Sequence, residues 1–329
     1  MTLGTQYNYV IFGSDWDLYK IAYSSVLKYD NVRYIESPYV NLGLLKHVRH
    51  IHFSGAINKR FRVPFKGLWN SCYFHNDFGN DKPICFLFFW QWAAMEIETG
   101  FTRYLRRNYP GSKMVLFLQD VVASHKEPNI NELRRKYDLL MSYDKKDCEK
   151  YRLTYHPTVL SSFRIKQNLE WEMSDFFFIG QDKGRLKTLI GLYDELVSKG
   201  FTCDFIIQGE FDPQIKLPSG IKHINKSITY YENLQHVVNT RCVIELMQPD
   251  ADGFTYRTWE SIIYDKFLLT NNKKLQSESF YIKNNMFVID DDAEIDNFLL
   301  RVKNMEYVEN KYKQELSAEK ILEFITEKI

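Results

Sequence analysis

The chain has 329 residues, about twice the length of a usual single domain, so we expect two domains. Hydrophobic residues make up 45% and charged residues 26% of the chain, which is an ordinary folded composition with enough apolar material for two cores. With 43 basic against 42 acidic residues, the net charge of +1 excludes a global field that would draw the protein to nucleic acid.

The sequence predicts a cytoplasmic protein. Five cysteines occur without any CxxC pair, and we expect them to be reduced core residues with no zinc site. The first residues contain no basic flank followed by an apolar stretch, so no signal peptide is expected. The longest apolar run, ICFLFFWQWAAM, is too short to span a bilayer.

Strands alternate with helices from the start of the chain to about residue 160. The first group is a buried strand (YVIF), a turn at Gly13-Ser14-Asp15, a helix with Leu18 and Ala22 at helical spacing, and a second strand (VRYIE). The remaining elements expected in this half are strands at 84–90, 113–120 and 137–144 and helices at 93–109 and 145–153. This alternation is typical of a parallel sheet.

A polar, poorly periodic segment at 161–173 then interrupts the pattern and predicts an interdomain connection. After it the alternation restarts, with expected strands at 174–180, 202–210, 220–224, 241–247, 266–271 and 286–290 and helices at 183–200, 229–240, 254–265, 294–305 and 317–329. The predicted fold class is α/β, with two Rossmann-like domains at 1–165 and 166–312. Residues 313–329 are expected to form a C-terminal helix that packs back across the domains.

The first candidate site is the turn that opens the second domain. The strand SDFFFIG ends at Gly180, and Asp182, Lys183, Gly184 and Arg185 lead into a helix. In an open parallel sheet such a turn lies at the carboxyl edge, where ligands bind. Basic residues at a helix start oppose the helix dipole, and a bound phosphate or pyrophosphate would account for them. The alternative is a charged, solvated helix start.

A second candidate site follows the strand RCVIELM. Asp252-Gly253-Phe254 form a turn from which the helix TYRTWESIIY begins, and Glu260 lies eight positions after Asp252. The alternative is a helix-capping Asp followed by a solvated Glu.

These motifs resemble those of bacterial glycosyltransferases of the two-Rossmann-domain (GT-B) type that serve surface-polysaccharide synthesis (capsule, O-antigen or lipopolysaccharide). Such enzymes often carry an E-x7-E pattern whose first acid precedes Gly-Phe, and this chain has a D-x7-E variant. The resemblance covers the second domain best and implies two domains facing a cleft. It implies that Glu260 binds the donor ribose, and that Asp252 with the backbone of Gly253, Phe254 and Thr255 faces the sugar or its diphosphate. The shorter Asp leaves the role of the first acid open.

The same resemblance extends to three further residues of the second domain. Arg257 is expected to pair with Glu260 or to reach a phosphate, and the turn with Tyr230 and Glu232 is expected to face the nucleobase. The alternative for this turn is an ordinary helix start with Glu in its first turn.

The first domain offers candidates for a catalytic base. Asp15 follows the first strand, in an Asp-Trp-Asp triplet that we do not expect to bind metal, and Asp120 and His125 follow a later strand. A base on such a loop could take the proton of an acceptor hydroxyl. A helix cap is the alternative for Asp15.

One basic patch lies at 46–70, where Lys and Arg alternate with Phe and Trp. This mixture suits an anionic membrane face or a lipid-diphosphate acceptor, and the alternative is a solvated loop.

The sequence therefore predicts a glycosyltransferase that moves a sugar from a nucleotide-sugar to a glycan or lipid-linked glycan, without metal or other cofactor, at the inner face of the cell membrane or in the cytoplasm. No nucleic-acid partner is expected. Two alternatives remain, a non-catalytic nucleotide- or glycan-binding partner of another glycosyltransferase and a nucleotide-sugar epimerase of the same two-domain fold. No GxGxxG follows the first strand, and GxxxxGK[ST], HExxH and GxSxG are absent, which disfavours dehydrogenase, P-loop, zincin and serine-hydrolase functions.

Overall fold

A computed structural model describes residues 1–38, 42–61, 63–122, 129–210, 214–247, 253–289 and 294–329. The chain forms two compact units. The first comprises Met1–Val159 together with Ser317–Ile329, and the second comprises Leu160–Leu316. The first unit thus ends a few residues before the predicted boundary at 165, and the C-terminal helix belongs to the first unit.

The first unit is built on a six-stranded sheet in the order β2-β1-β3-β4-β5-β6, in which every neighbouring pair is parallel. Its strands are β1 (Asn8–Phe12), β2 (Val32–Ile35), β3 (Ile84–Phe88), β4 (Lys113–Leu118), β5 (Leu139–Ser142) and β6 (Thr154–Tyr155). The strand order reverses between β1 and β3, so the loops that follow these two strands meet at a topological switch point.

Eight described α-helices belong to the first unit, and some of them pack on each face of its sheet. They are α1 (Asp17–Ala22), α2 (Leu45–Phe53), α3 (Gly55–Arg60), α4 (Trp90–Thr99), α5 (Phe101–Asn108), α6 (Ile130–Lys136), α7 (Lys145–Tyr151) and, at the end of the chain, α12 (Ala318–Lys328). Tyr9 and Ile11 contribute to the core on one face and Val10 and Phe12 to the core on the other, as the two-residue period of a strand requires.

The second unit contains a second parallel six-stranded sheet, in the order β12-β11-β10-β7-β8-β9. Its strands are β7 (Ser174–Gln181), β8 (Cys203–Gln208), β9 (Ile221–Ile224), β10 (Thr240–Glu245), β11 (Phe267–Thr270) and β12 (Met286–Val288). If β7 to β12 are renumbered 1 to 6 and the sheet is read from β9 to β12, the strand order is 3-2-1-4-5-6, as in a Rossmann domain. The switch point lies between β7 and β10.

The main helices of the second unit are α8 (Leu186–Ser198), α9 (Tyr230–Val238), α10 (Tyr256–Ile263) and α11 (Ile295–Asn304). Two Rossmann-like units of this kind confirm the predicted α/β fold class, which is that of the GT-B proteins. None of the described helices is long and apolar enough to cross a membrane.

Two parts of the first unit differ from the sequence prediction. The helix expected over 93–109 is divided into α4 and α5 at Gly100, which has a left-handed φ of 62° that suits glycine. The segment at 46–70, described above as a patch or loop, forms α2, α3 and a 3-10 turn at Lys66–Cys72. The signal for α2 was present, because Leu45, Val48 and Ile51 recur at helical spacing.

Candidate functional site

The switch point of the second sheet brings two arginine side chains together. Arg185 precedes α8 and Arg257 lies in the first turn of α10. A Cβ atom on Gly180 would lie 3.1 Å from Nη2 of Arg185 and 3.5 Å from Nη2 of Arg257. Both guanidinium groups also lie over the ring of Phe178, at 5.4 and 5.6 Å from its centroid. Because glycine has no side chain, position 180 leaves space for both guanidinium groups to lie next to the strand.

Backbone carbonyl groups at the ends of β7 and β10 hold both arginines. Arg257 donates a hydrogen bond to the Ile179 carbonyl, and Arg185 donates to the carbonyl groups of Leu246 and Gln181. These carbonyl groups fix the side chains but carry no net charge, and among the described residues neither guanidinium forms a salt bridge with a carboxylate.

Burial and the neighbouring charges affect the ionisation of Arg185. Burial lowers the pKa of Arg185, the positive charge of Arg257 lowers it further, and Asp182 opposes both. The Nε of Arg257 is buried and has no hydrogen-bond partner among the described residues. Two adjacent cations with donor capacity to spare suit a polyanion such as a diphosphate.

The turn before α8 has a tighter role than the sequence suggested. Asp182 accepts a hydrogen bond from the Leu186 amide at 2.8 Å, and its carbonyl accepts one from the Arg185 amide at 3.0 Å. The Asp182 side chain thus pairs with the first amide of α8, while Arg185 occupies the N-cap position. Lys183 and Gly184 are exposed, with φ values of 46° and 79°. The exposed Lys183 stays a prediction as a donor-binding residue.

A buried carboxylate lies one turn after Arg257. Glu260 is only 2% exposed, and its Oε1 accepts a hydrogen bond from the Asn233 side chain at 3.0 Å. Its Oε2 and the hydroxyl of Tyr230 are both buried and form no well-aligned hydrogen bond among the described residues, although the Tyr230 hydroxyl lies near enough to help lower the pKa of Glu260. Burial raises the pKa of Glu260, against the opposing effect of the Arg257 charge. An acceptor oxygen left unpaired at this depth is suited to a hydroxyl donor, because it incurs a desolvation cost until it is hydrogen bonded.

The structure brings Tyr230, but not Glu232, to this carboxylate. Tyr230 and Asn233 are three residues apart on α9 and share the side that meets α10. Glu232 instead lines a separate cavity of about 520 Å³ together with His236, which lies one helical turn further on. The amide of Glu232 donates to the Thr229 side chain, which caps α9. The two members of the predicted nucleobase turn therefore lie on different sides of one helix.

Sequence reasoning placed Glu245 in a strand but gave it no role. This residue ends β10, is 1% exposed, and accepts hydrogen bonds from the hydroxyl groups of Thr255, Thr258 and Thr270 at 2.6, 2.9 and 2.8 Å. It fixes the start of α10, and hence Arg257, to the edge of the sheet. A buried acid followed by threonines was the signal in the sequence that could have identified it.

The residues between Asp252 and α10 are tied into the same anchor. The Thr255 amide donates to Glu245 at 3.3 Å, and the Gly253 carbonyl accepts from the Asn272 side chain at 3.2 Å. Phe254 is buried in an aromatic cluster with Trp259 and Phe280. The Thr255 amide thus already has a protein partner. Asp252 lies outside the described residues.

In the first unit, the predicted base Asp15 is exposed on the loop after β1, at the switch point. It accepts a hydrogen bond from the Ser14 hydroxyl at 3.3 Å, and α1 begins at Asp17 without a side-chain cap. The loop is held by Tyr34, whose hydroxyl both accepts from the Ser14 amide at 3.0 Å and donates to the Ser14 carbonyl at 2.9 Å. Gly13 is required here, because a Cβ would lie 2.2 Å from the Tyr34 ring.

The other two base candidates lie after β4. Asp120 is exposed, and its charge adds to the effect of burial in raising the pKa of Tyr19 to about 12. His125 lies outside the described residues. Asp15 itself lines a cavity of about 410 Å³ in the first unit, together with Glu36, Arg49 and other residues of α2 and α4. Among the described residues no three His, Cys, Asp or Glu side chains cluster in a way that could hold a metal ion.

Comparison with known proteins identifies the fold. No protein family and no curated protein matches the sequence. Among solved structures, an α-glucosyltransferase in complex with UDP-glucose and DNA containing an abasic site is 12% identical, with a TM-score of 0.50 over 97% of this chain and 93% of that one. An α-glucosyltransferase bound to UDP and a mismatched 13-mer DNA is 11% identical, with a TM-score of 0.52 over 96% and 94% of the two chains.

A third similar structure is the N-terminal domain of a Candida albicans trehalose-6-phosphate phosphatase, 10% identical with a TM-score of 0.51 over 97% of this chain and 96% of that one. At this level of identity the likeness establishes the fold, and the ligands in those structures belong to those proteins. For this chain, the absence of a nucleic-acid partner and the surface-polysaccharide role stay predictions.

Proposed function

We propose that the protein is a glycosyltransferase that transfers a sugar from a nucleoside-diphosphate sugar to a hydroxyl group of a glycan or lipid-linked glycan. The carrying observation is the pair of guanidinium groups, Arg185 and Arg257, held against Gly180 at the Rossmann switch point. Similar structures contain UDP or UDP-glucose, which supports a nucleoside diphosphate as the leaving group. A role in surface-polysaccharide synthesis is part of this proposal.

The proposed reaction breaks the bond between the sugar C1 and the β-phosphate oxygen and forms a bond from C1 to the acceptor oxygen. Negative charge then develops on the leaving diphosphate. Arg185 and Arg257, with Lys183 nearby, would stabilise that charge without a metal ion. The proton of the acceptor hydroxyl would pass to a carboxylate or imidazole of the first unit, for which Asp15, Asp120 and His125 are the candidates.

Glu260 would recognise the nucleoside. Its Oε2 is buried near the Tyr230 hydroxyl without a well-aligned hydrogen bond, and it would accept one from a ribose hydroxyl. Arg257 is one turn away on the same helix, so the ribose and diphosphate sites would be spaced as they are in one nucleotide.

The test compares a nucleoside diphosphate with its nucleoside. UDP, ADP, GDP and dTDP are titrated into the protein by calorimetry, and the tightest binder and its parent nucleoside are then used with Arg185→Ala and Arg257→Ala. Each variant should lose roughly 10- to 100-fold in affinity for the diphosphate, because each removes one charge-assisted interaction. Affinity for the nucleoside should not change.

Lys187→Ala is the matched control, since it removes an exposed cation from α8 without touching Gly180. Unchanged diphosphate affinity in both arginine variants would refute the assignment.

Turnover distinguishes the transferase from its alternatives. With nucleotide sugars and acceptor glycans present, a transferase releases nucleoside diphosphate in proportion to glycosylated acceptor. Binding without release would favour a non-catalytic partner of another enzyme, and recovery of an isomerised nucleotide sugar would favour an epimerase.

A further inference from the structure

Helix α2 presents apolar side chains to solvent and its arginine to the interior. Leu45, Val48 and Ile51 are 54%, 54% and 59% exposed, whereas Arg49 is 3% exposed. A surface helix ordinarily buries its apolar stripe and exposes its charges. This inverted arrangement asks what the exposed stripe contacts.

Interactions inside the first unit fix the inward position of Arg49. Its Nε donates to the Tyr73 hydroxyl at 2.9 Å, and its guanidinium lies 4.3 Å from the centroid of the Phe53 ring and 5.2 Å from that of Tyr73. Rotating α2 to bury its apolar stripe would break these contacts and leave a buried arginine without them. The outward direction of Leu45, Val48 and Ile51 is therefore built into the fold.

The exposed apolar surface continues beyond α2. Eight large hydrophobic side chains between residues 44 and 68 are exposed, and they are Leu44, Leu45, Val48, Ile51, Ile57, Phe61, Phe65 and Leu68. Phe65 is 76% exposed and has a left-handed φ of 64°, a conformation that is unfavourable for a bulky residue. We call these eight side chains the 44–68 surface. A concentration of exposed hydrophobic residues of this kind marks an interaction site.

The charge of the same segment is entirely positive. From Ser37 to Asn76 the sequence contains no Asp or Glu, although the whole chain is nearly neutral, and it contains four of the eight His residues. Lys46 and His50 are four residues apart on α2 and form an exposed stripe beside the apolar one, and Lys59 and Arg60 are exposed on α3. Apolar and basic stripes side by side are the pattern of a helix that lies in the interface of an anionic bilayer.

We propose that the 44–68 surface binds an anionic lipid bilayer, with Val48, Ile51, Phe61 and Phe65 entering the boundary between headgroups and acyl chains and Lys46, Lys59 and Arg60 contacting the headgroups. DNA is a poorer fit, because contact with phosphates calls for polar and cationic side chains and would press eight apolar ones against a hydrated backbone.

If the protein is the glycosyltransferase proposed above, membrane binding through the 44–68 surface would also place a lipid-linked acceptor near Asp15. Arg49 and Phe53, on the inner side of α2, line the cavity of about 410 Å³ that also holds Asp15. One short helix thus separates this cavity from the lipid-binding side chains. An acceptor hydroxyl carried on a membrane lipid would need to travel only the thickness of a helix to reach Asp15.

The test uses flotation of the full chain with vesicles of phosphatidylcholine, with and without phosphatidylglycerol, and no nucleotide. The wild-type protein should float with the anionic vesicles, and Val48→Glu/Ile51→Glu should bind them at least about tenfold more weakly. The matched control is Leu169→Glu/Leu300→Glu, which adds the same charge at two exposed apolar positions elsewhere and should bind as the wild type does. Lys59→Glu/Arg60→Glu should weaken binding by about fivefold or more for each position.

Folding of each variant is checked by its thermal transition. If the double Glu variant does not fold, Val48→Ala/Ile51→Ala keeps the same comparison with a weaker expected loss of several-fold. Wild-type protein that does not float, or equal losses in the test and control variants, would overturn the proposal.

Two other outcomes would assign the surface to a different occupant. Binding to a DNA duplex that Val48→Glu/Ile51→Glu abolishes, without vesicle binding, would assign it to nucleic acid. Concentration-dependent self-association lost in the same variant, without vesicle binding, would assign it to a second copy of this chain. Because vesicle binding needs no nucleotide and the calorimetric test needs no lipid, either proposal can fail without the other.

Discussion

At the scale of single residues, the candidate donor site depends on polar groups placed where water cannot reach them. The two oxygens of Glu245 accept hydrogen bonds from three threonine hydroxyls, whereas Glu260 has one oxygen paired with Asn233 and one that lies near Tyr230 without a well-aligned hydrogen bond. The two acids lie in the same part of the second unit and differ in what they still have to offer. A satisfied carboxylate supports the site, and an unsatisfied one is available to bind.

The raised pKa of Glu260 predicts a pH-dependent contribution to stability. Because burial holds its folded-state pKa above the ordinary 4.5, the folded protein binds more protons than the unfolded chain as the pH rises from that value. The wild type should therefore lose stability with rising pH through this group, and Glu260→Gln should not. We expect the free energy of unfolding of Glu260→Gln, measured by urea denaturation relative to wild type, to be higher at about pH 8 than at about pH 5.

Glu195→Gln is the control, since Glu195 is exposed on α8. An identical difference between Glu260→Gln and wild type at both pH values would contradict the prediction.

At the scale of elements, the last helix completes a core formed by residues more than 150 positions earlier in the chain. Ile321, Leu322 and Ile325 of α12 are fully buried in the cluster that also contains Tyr9 of β1. The Tyr9 hydroxyl lies 2.8 Å from the Leu322 carbonyl, to which it donates. Amphipathic spacing predicted this helix, but the sheet on which it packs is settled only by the tertiary contacts.

Removing buried volume from α12 should destabilise the first unit. Ile325→Ala deletes three buried carbon atoms from a fully enclosed side chain and should lower the free energy of unfolding by about 2–5 kcal/mol. Glu327→Ala, at an exposed position of the same helix, should change it by less than about 0.5 kcal/mol. Urea denaturation followed by circular dichroism measures both. Equal effects of the two substitutions would show that the helix does not pack as described.

At the scale of the whole molecule, the two units differ in continuity. Leu160–Leu316 is one uninterrupted segment that contains the whole of its sheet, whereas the first unit needs both Met1–Val159 and Ser317–Ile329. The second unit also contains every described residue assigned to the donor, from Gly180 to Glu260.

A fragment comprising 160–316 should therefore fold alone, and one comprising 1–159 should not. The first should show a cooperative urea transition and bind the nucleoside diphosphate with an affinity close to that of the full chain. The second lacks α12 and leaves the apolar face around Tyr9 and Ile11 uncovered, so it should aggregate or unfold. A stable, monomeric 1–159 fragment would contradict the prediction.

The order of strands and helices could be predicted because it depends on local patterns. Buried parallel strands are continuous apolar runs, helices repeat every three to four residues, and glycine and charged turns separate them. The same reasoning located the Gly180–Arg185 turn and the helix that carries Arg257 and Glu260. It missed α2 as a helix with its apolar side outward, because a pattern of side chains does not state which side of a helix faces the protein.

The sequence by itself therefore determined the two parallel-sheet units and the segments that end at their carboxyl edges. Only the tertiary structure decided which side chains meet there. Arg185 and Arg257 come together because β7 and β10 are adjacent at the switch point, a strand order that no local spacing of residues records.

Results

Sequence analysis

The chain has 329 residues, about twice the length of a usual single domain, so we expect two domains. Hydrophobic residues make up 45% and charged residues 26% of the chain, which is an ordinary folded composition with enough apolar material for two cores. With 43 basic against 42 acidic residues, the net charge of +1 excludes a global field that would draw the protein to nucleic acid.

The sequence predicts a cytoplasmic protein. Five cysteines occur without any CxxC pair, and we expect them to be reduced core residues with no zinc site. The first residues contain no basic flank followed by an apolar stretch, so no signal peptide is expected. The longest apolar run, ICFLFFWQWAAM, is too short to span a bilayer.

Strands alternate with helices from the start of the chain to about residue 160. The first group is a buried strand (YVIF), a turn at Gly13-Ser14-Asp15, a helix with Leu18 and Ala22 at helical spacing, and a second strand (VRYIE). The remaining elements expected in this half are strands at 84–90, 113–120 and 137–144 and helices at 93–109 and 145–153. This alternation is typical of a parallel sheet.

A polar, poorly periodic segment at 161–173 then interrupts the pattern and predicts an interdomain connection. After it the alternation restarts, with expected strands at 174–180, 202–210, 220–224, 241–247, 266–271 and 286–290 and helices at 183–200, 229–240, 254–265, 294–305 and 317–329. The predicted fold class is α/β, with two Rossmann-like domains at 1–165 and 166–312. Residues 313–329 are expected to form a C-terminal helix that packs back across the domains.

The first candidate site is the turn that opens the second domain. The strand SDFFFIG ends at Gly180, and Asp182, Lys183, Gly184 and Arg185 lead into a helix. In an open parallel sheet such a turn lies at the carboxyl edge, where ligands bind. Basic residues at a helix start oppose the helix dipole, and a bound phosphate or pyrophosphate would account for them. The alternative is a charged, solvated helix start.

A second candidate site follows the strand RCVIELM. Asp252-Gly253-Phe254 form a turn from which the helix TYRTWESIIY begins, and Glu260 lies eight positions after Asp252. The alternative is a helix-capping Asp followed by a solvated Glu.

These motifs resemble those of bacterial glycosyltransferases of the two-Rossmann-domain (GT-B) type that serve surface-polysaccharide synthesis (capsule, O-antigen or lipopolysaccharide). Such enzymes often carry an E-x7-E pattern whose first acid precedes Gly-Phe, and this chain has a D-x7-E variant. The resemblance covers the second domain best and implies two domains facing a cleft. It implies that Glu260 binds the donor ribose, and that Asp252 with the backbone of Gly253, Phe254 and Thr255 faces the sugar or its diphosphate. The shorter Asp leaves the role of the first acid open.

The same resemblance extends to further positions in the second domain. Arg257 is expected to pair with Glu260 or to reach a phosphate, and the turn with Tyr230 and Glu232 is expected to face the nucleobase. The alternative for this turn is an ordinary helix start with Glu in its first turn.

The first domain offers candidates for a catalytic base. Asp15 follows the first strand, in an Asp-Trp-Asp triplet that we do not expect to bind metal, and Asp120 and His125 follow a later strand. A base on such a loop could take the proton of an acceptor hydroxyl. A helix cap is the alternative for Asp15.

One basic patch lies at 46–70, where Lys and Arg are mixed with Phe and Trp. This mixture suits an anionic membrane face or a lipid-diphosphate acceptor, and the alternative is a solvated loop.

The sequence therefore predicts a glycosyltransferase that moves a sugar from a nucleotide-sugar to a glycan or lipid-linked glycan, without metal or other cofactor, in the cytoplasm or at the inner face of the cell membrane. No nucleic-acid partner is expected. Two alternatives remain, a non-catalytic nucleotide- or glycan-binding partner of another glycosyltransferase and a nucleotide-sugar epimerase of the same two-domain fold. No GxGxxG follows the first strand, and GxxxxGK[ST], HExxH and GxSxG are absent, which disfavours dehydrogenase, P-loop, zincin and serine-hydrolase functions.

Overall fold

A computed structural model describes residues 1–38, 42–61, 63–122, 129–210, 214–247, 253–289 and 294–329. The chain forms two compact units. The first comprises Met1–Val159 together with Ser317–Ile329, and the second comprises Leu160–Leu316. The first unit thus ends a few residues before the boundary predicted at 165, and the C-terminal helix belongs to the first unit.

The first unit is built on a six-stranded sheet in the order β2-β1-β3-β4-β5-β6, in which every neighbouring pair is parallel. Its strands are β1 (Asn8–Phe12), β2 (Val32–Ile35), β3 (Ile84–Phe88), β4 (Lys113–Leu118), β5 (Leu139–Ser142) and β6 (Thr154–Tyr155). The strand order reverses between β1 and β3, so the loops that follow these two strands meet at a topological switch point.

Eight described α-helices belong to the first unit, and some of them pack on each face of its sheet. They are α1 (Asp17–Ala22), α2 (Leu45–Phe53), α3 (Gly55–Arg60), α4 (Trp90–Thr99), α5 (Phe101–Asn108), α6 (Ile130–Lys136), α7 (Lys145–Tyr151) and, at the end of the chain, α12 (Ala318–Lys328). Tyr9 and Ile11 contribute to the core on one face and Val10 and Phe12 to the core on the other, as the two-residue period of a strand requires.

The second unit contains a second parallel six-stranded sheet, in the order β12-β11-β10-β7-β8-β9. Its strands are β7 (Ser174–Gln181), β8 (Cys203–Gln208), β9 (Ile221–Ile224), β10 (Thr240–Glu245), β11 (Phe267–Thr270) and β12 (Met286–Val288). If β7 to β12 are renumbered 1 to 6 and the sheet is read from β9 to β12, the strand order is 3-2-1-4-5-6, as in a Rossmann domain. The switch point lies between β7 and β10.

The α-helices described in the second unit are α8 (Leu186–Ser198), α9 (Tyr230–Val238), α10 (Tyr256–Ile263) and α11 (Ile295–Asn304). Two Rossmann-like units of this kind confirm the predicted α/β fold class. None of the described helices is long and apolar enough to cross a membrane.

The helix predicted over 93–109 is divided in the structure into α4 and α5. The division falls at Gly100, which has a left-handed φ of 62° that suits glycine. Because the apolar spacing continues across this residue, the pattern alone did not reveal the break.

The segment at 46–70, interpreted above as a basic patch or loop, forms α2, α3 and a 3-10 turn at Lys66–Cys72. The signal for α2 was present in the sequence, because Leu45, Val48 and Ile51 recur at helical spacing.

Candidate functional site

The switch point of the second sheet brings two arginine side chains together. Arg185 immediately precedes α8, and Arg257 lies in the first turn of α10. A Cβ atom on Gly180 would lie 3.1 Å from Nη2 of Arg185 and 3.5 Å from Nη2 of Arg257. Both guanidinium groups also lie over the ring of Phe178, at 5.4 and 5.6 Å from its centroid. Because glycine has no side chain, position 180 leaves space for both guanidinium groups to lie next to the strand.

Backbone carbonyl groups at the ends of β7 and β10 hold both arginines. Arg257 donates a hydrogen bond to the Ile179 carbonyl, and Arg185 donates to the carbonyl groups of Leu246 and Gln181. These carbonyl groups fix the side chains but carry no net charge. Among the described residues neither guanidinium forms a salt bridge with a carboxylate, so the predicted pairing of Arg257 with Glu260 is limited to a longer-range attraction.

Burial and the neighbouring charges affect the ionisation of Arg185. Burial lowers the pKa of Arg185, the positive charge of Arg257 lowers it further, and Asp182 opposes both. The Nε of Arg257 is buried and has no hydrogen-bond partner among the described residues. Two adjacent cations with donor capacity to spare suit a polyanion such as a diphosphate.

The turn before α8 is held by its own hydrogen bonds. Asp182 accepts a hydrogen bond from the Leu186 amide at 2.8 Å, and its carbonyl accepts one from the Arg185 amide at 3.0 Å. The Asp182 side chain thus pairs with the first amide of α8, while Arg185 occupies the N-cap position. Lys183 and Gly184 are exposed, with φ values of 46° and 79°. Binding of the donor by Lys183 stays a prediction.

A buried carboxylate lies one turn after Arg257. Glu260 is only 2% exposed, and its Oε1 accepts a hydrogen bond from the Asn233 side chain at 3.0 Å. Its Oε2 and the hydroxyl of Tyr230 are both buried and form no well-aligned hydrogen bond among the described residues, although the Tyr230 hydroxyl lies near enough to help lower the pKa of Glu260. Burial raises the pKa of Glu260, against the opposing effect of the Arg257 charge. An unpaired acceptor at this depth suits a hydroxyl donor, because a buried oxygen without a hydrogen bond is costly.

The structure brings Tyr230, but not Glu232, to this carboxylate. Tyr230 and Asn233 are three residues apart on α9 and share the side that meets α10. Glu232 instead lines a separate cavity of about 520 Å³ together with His236, which lies one helical turn further on. The two members of the predicted nucleobase turn therefore lie on different sides of one helix.

Glu245 anchors the start of α10, a role that the sequence did not predict. This residue ends β10, is 1% exposed, and accepts hydrogen bonds from the hydroxyl groups of Thr255, Thr258 and Thr270 at 2.6, 2.9 and 2.8 Å. It thereby fixes Arg257 to the edge of the sheet. The sequence signal for this role was an acidic residue within an apolar strand, with Thr255, Thr258 and Thr270 following it in the chain.

The turn before α10 is tied to the same anchor. The Thr255 amide donates to Glu245 at 3.3 Å, and the Gly253 carbonyl accepts from the Asn272 side chain at 3.2 Å. The Thr255 amide, predicted to face the donor, thus has a protein partner in this structure. Asp252 lies outside the described residues.

Phe254 packs into the interior. It is buried in an aromatic cluster with Trp259 and Phe280, at centroid distances of 5.8 and 5.0 Å. Its side chain therefore contributes to the core, and its predicted contact with the donor concerns only the backbone.

In the first unit, the predicted base Asp15 is exposed on the loop after β1, at the switch point. It accepts a hydrogen bond from the Ser14 hydroxyl at 3.3 Å, and α1 begins at Asp17 without a side-chain cap. The hydroxyl of Tyr34 holds the loop, accepting from the Ser14 amide at 3.0 Å and donating to the Ser14 carbonyl at 2.9 Å. Gly13 is required here, because a Cβ would lie 2.2 Å from the Tyr34 ring.

The other two base candidates follow β4. Asp120 is exposed, and its charge adds to the effect of burial in raising the pKa of Tyr19 to about 12. His125 lies outside the described residues. Asp15 lines a cavity of about 410 Å³ within the first unit, together with Arg49 of α2. No cluster of three His, Cys, Asp or Glu side chains that could hold a metal ion occurs among the described residues.

Comparison with known proteins identifies the fold. No protein family and no curated protein matches the sequence. Among solved structures, an α-glucosyltransferase in complex with UDP-glucose and DNA containing an abasic site is 12% identical, with a TM-score of 0.50 over 97% of this chain and 93% of that one. An α-glucosyltransferase in complex with UDP and a 13-mer DNA with a central A:G mismatch is 11% identical, with a TM-score of 0.52 over 96% and 94% of the two chains.

A third similar structure is the N-terminal domain of a Candida albicans trehalose-6-phosphate phosphatase, which is 10% identical with a TM-score of 0.51 over 97% of this chain and 96% of that one. The class that the fold defines is that of the two-Rossmann (GT-B) proteins. At this level of identity the likeness establishes the fold, and the ligands in those structures belong to those proteins. For this chain, the absence of a nucleic-acid partner and the surface-polysaccharide role stay predictions.

Proposed function

We propose that the protein is a glycosyltransferase that transfers a sugar from a nucleoside-diphosphate sugar to a hydroxyl group of a glycan or lipid-linked glycan. The observation that carries this proposal is the pair of guanidinium groups, Arg185 and Arg257, held against Gly180 at the Rossmann switch point. Similar structures contain UDP or UDP-glucose, which supports a nucleoside diphosphate as the leaving group. A role in surface-polysaccharide synthesis is part of the proposal.

The proposed reaction breaks the bond between the sugar C1 and the β-phosphate oxygen and forms a bond from C1 to the acceptor oxygen. Negative charge then develops on the leaving diphosphate. Arg185 and Arg257 would stabilise that charge without a metal ion, with Lys183 nearby. The proton of the acceptor hydroxyl would pass to a side chain of the first unit. The candidates for this base are Asp15, Asp120 and His125.

Glu260 would recognise the nucleoside. Its Oε2 is buried near the Tyr230 hydroxyl without a well-aligned hydrogen bond, and it would accept one from a ribose hydroxyl. Arg257 lies one turn away on the same helix, so the ribose and diphosphate sites would be as close together as they are in one nucleotide.

The test compares a nucleoside diphosphate with its nucleoside. UDP, ADP, GDP and dTDP are titrated into the protein by calorimetry, and the tightest binder and its parent nucleoside are then used with Arg185→Ala and Arg257→Ala. Each variant should lose roughly 10- to 100-fold in affinity for the diphosphate, because each removes one charge-assisted interaction. Affinity for the nucleoside should not change.

Lys187→Ala is the matched control, since it removes an exposed cation from α8 without touching Gly180. Unchanged diphosphate affinity in both arginine variants would refute the assignment.

Turnover distinguishes the transferase from its alternatives. With nucleotide sugars and acceptor glycans present, a transferase releases nucleoside diphosphate in proportion to glycosylated acceptor. Binding without release would favour a non-catalytic partner of another enzyme, and recovery of an isomerised nucleotide sugar would favour an epimerase.

A further inference from the structure

Helix α2 presents apolar side chains to solvent and its arginine to the interior. Leu45, Val48 and Ile51 are 54%, 54% and 59% exposed, whereas Arg49 is 3% exposed. A surface helix ordinarily buries its apolar stripe and exposes its charges. In α2 this arrangement is inverted.

Interactions inside the first unit fix the inward position of Arg49. Its Nε donates to the Tyr73 hydroxyl at 2.9 Å, and its guanidinium lies 4.3 Å from the centroid of the Phe53 ring and 5.2 Å from that of Tyr73. Rotating α2 to bury its apolar stripe would break these contacts. The outward direction of the stripe is therefore built into the fold.

The exposed apolar surface continues beyond α2. Eight large hydrophobic side chains between residues 44 and 68 are exposed, and they are Leu44, Leu45, Val48, Ile51, Ile57, Phe61, Phe65 and Leu68. We call these side chains the 44–68 surface. Phe65 is 76% exposed and has a left-handed φ of 64°, a conformation that is unfavourable for a bulky residue. A concentration of exposed hydrophobic residues of this kind marks an interaction site.

The charged side chains of the same segment are all basic. From Ser37 to Asn76 the sequence contains no Asp or Glu, although the whole chain is nearly neutral, and it contains four of the eight His residues. Lys46 and His50 are four residues apart on α2 and form an exposed stripe beside the apolar one. Apolar and basic stripes side by side are the pattern of a helix that lies in the interface of an anionic bilayer.

We propose that the 44–68 surface binds an anionic lipid bilayer. The apolar side chains that would enter the boundary between headgroups and acyl chains are Val48, Ile51, Phe61 and Phe65. The exposed cations that would contact the headgroups are Lys46, Lys59 and Arg60. DNA is a poorer fit, because contact with phosphates calls for polar and cationic side chains and would press the apolar ones against a hydrated backbone.

If the protein is the glycosyltransferase proposed above, membrane binding through the 44–68 surface would also place a lipid-linked acceptor near Asp15. Arg49 and Phe53, on the inner side of α2, line the cavity of about 410 Å³ that Asp15 also lines. One short helix thus separates this cavity from the lipid-binding side chains. An acceptor hydroxyl carried on a membrane lipid would lie within about 10 Å of the cavity, the diameter of one helix.

The test uses flotation of the full chain with vesicles of phosphatidylcholine, with and without phosphatidylglycerol, and no nucleotide. The wild-type protein should float with the anionic vesicles, and Val48→Glu/Ile51→Glu should bind them at least about tenfold more weakly. The matched control is Leu169→Glu/Leu300→Glu, which adds the same charge at two exposed apolar positions elsewhere and should bind as the wild type does.

The cations are tested separately. Lys59→Glu/Arg60→Glu should weaken binding to the anionic vesicles by about fivefold or more for each position, and should have little effect on the weak binding to phosphatidylcholine alone.

Folding of each variant is checked by its thermal transition. If Val48→Glu/Ile51→Glu does not fold, Val48→Ala/Ile51→Ala replaces it, and its affinity for the anionic vesicles should fall several-fold. Wild-type protein that does not float, or equal losses in the test and control variants, would overturn the proposal.

Two other outcomes would also overturn it and would assign the surface to a different occupant. Binding to a DNA duplex that Val48→Glu/Ile51→Glu abolishes, without vesicle binding, would assign it to nucleic acid. Self-association lost in the same variant, without vesicle binding, would assign it to a second copy of this chain. Because vesicle binding needs no nucleotide and the calorimetric test needs no lipid, either proposal can fail without the other.

Discussion

At the scale of single residues, the candidate donor site depends on polar groups placed where water cannot reach them. The two oxygens of Glu245 accept hydrogen bonds from three threonine hydroxyls, whereas Glu260 has one oxygen paired with Asn233 and one that lies near Tyr230 without a well-aligned hydrogen bond. Glu245 therefore stabilises the structure around the site, and Glu260 retains an oxygen that can accept a hydrogen bond from a ligand.

The raised pKa of Glu260 predicts a pH-dependent contribution to stability. Because burial holds its folded-state pKa above the ordinary 4.5, the folded protein binds more protons than the unfolded chain as the pH rises from that value. The wild type should therefore lose stability with rising pH through this group, and Glu260→Gln should not. We expect the free energy of unfolding of Glu260→Gln, measured by urea denaturation relative to wild type, to be higher at about pH 8 than at about pH 5.

Glu195→Gln is the control for this measurement, since Glu195 is exposed on α8. An identical difference between Glu260→Gln and wild type at both pH values would contradict the prediction.

At the scale of elements, the last helix, α12, packs in the same hydrophobic core as the first strand, β1. Ile321, Leu322 and Ile325 of α12 are fully buried in the cluster that also contains Tyr9 of β1. The Tyr9 hydroxyl donates to the Leu322 carbonyl at 2.8 Å. Amphipathic spacing predicted this helix, but the sheet on which it packs is settled only by the tertiary contacts.

Removing buried volume from α12 should destabilise the first unit. Ile325→Ala deletes most of a fully enclosed side chain and should lower the free energy of unfolding by about 2–5 kcal/mol. Glu327→Ala, at an exposed position of the same helix, should change it by less than about 0.5 kcal/mol. Urea denaturation followed by circular dichroism measures both. Equal effects of the two substitutions would show that the helix does not pack as described.

At the scale of the whole molecule, the two units differ in continuity. Leu160–Leu316 is one uninterrupted segment that contains the whole of its sheet, whereas the first unit needs both Met1–Val159 and Ser317–Ile329. The second unit also contains every described residue assigned to the donor, from Gly180 to Glu260.

A fragment comprising 160–316 should therefore fold alone, and one comprising 1–159 should not. The first should show a cooperative urea transition and bind the nucleoside diphosphate with an affinity close to that of the full chain. The second lacks α12 and leaves the apolar face around Tyr9 and Ile11 uncovered, so it should aggregate or unfold. A stable, monomeric 1–159 fragment would contradict the prediction.

The order of strands and helices could be predicted because it depends on local patterns. Buried parallel strands are continuous apolar runs, helices repeat every three to four residues, and glycine and charged turns separate them. The same reasoning located the turn from Gly180 to Arg185 and the helix that carries Arg257 and Glu260. It missed α2, although Leu45, Val48 and Ile51 recur at helical spacing, and such spacing could not show that their side of the helix faces away from the protein.

The sequence by itself therefore determined two parallel-sheet units and the segments that end at their carboxyl edges. Only the tertiary structure decided which side chains meet there. Arg185 and Arg257 come together because β7 and β10 are neighbours at the switch point. Strand order of this kind depends on how apolar faces pack between segments distant in the chain, and no local spacing of residues records it.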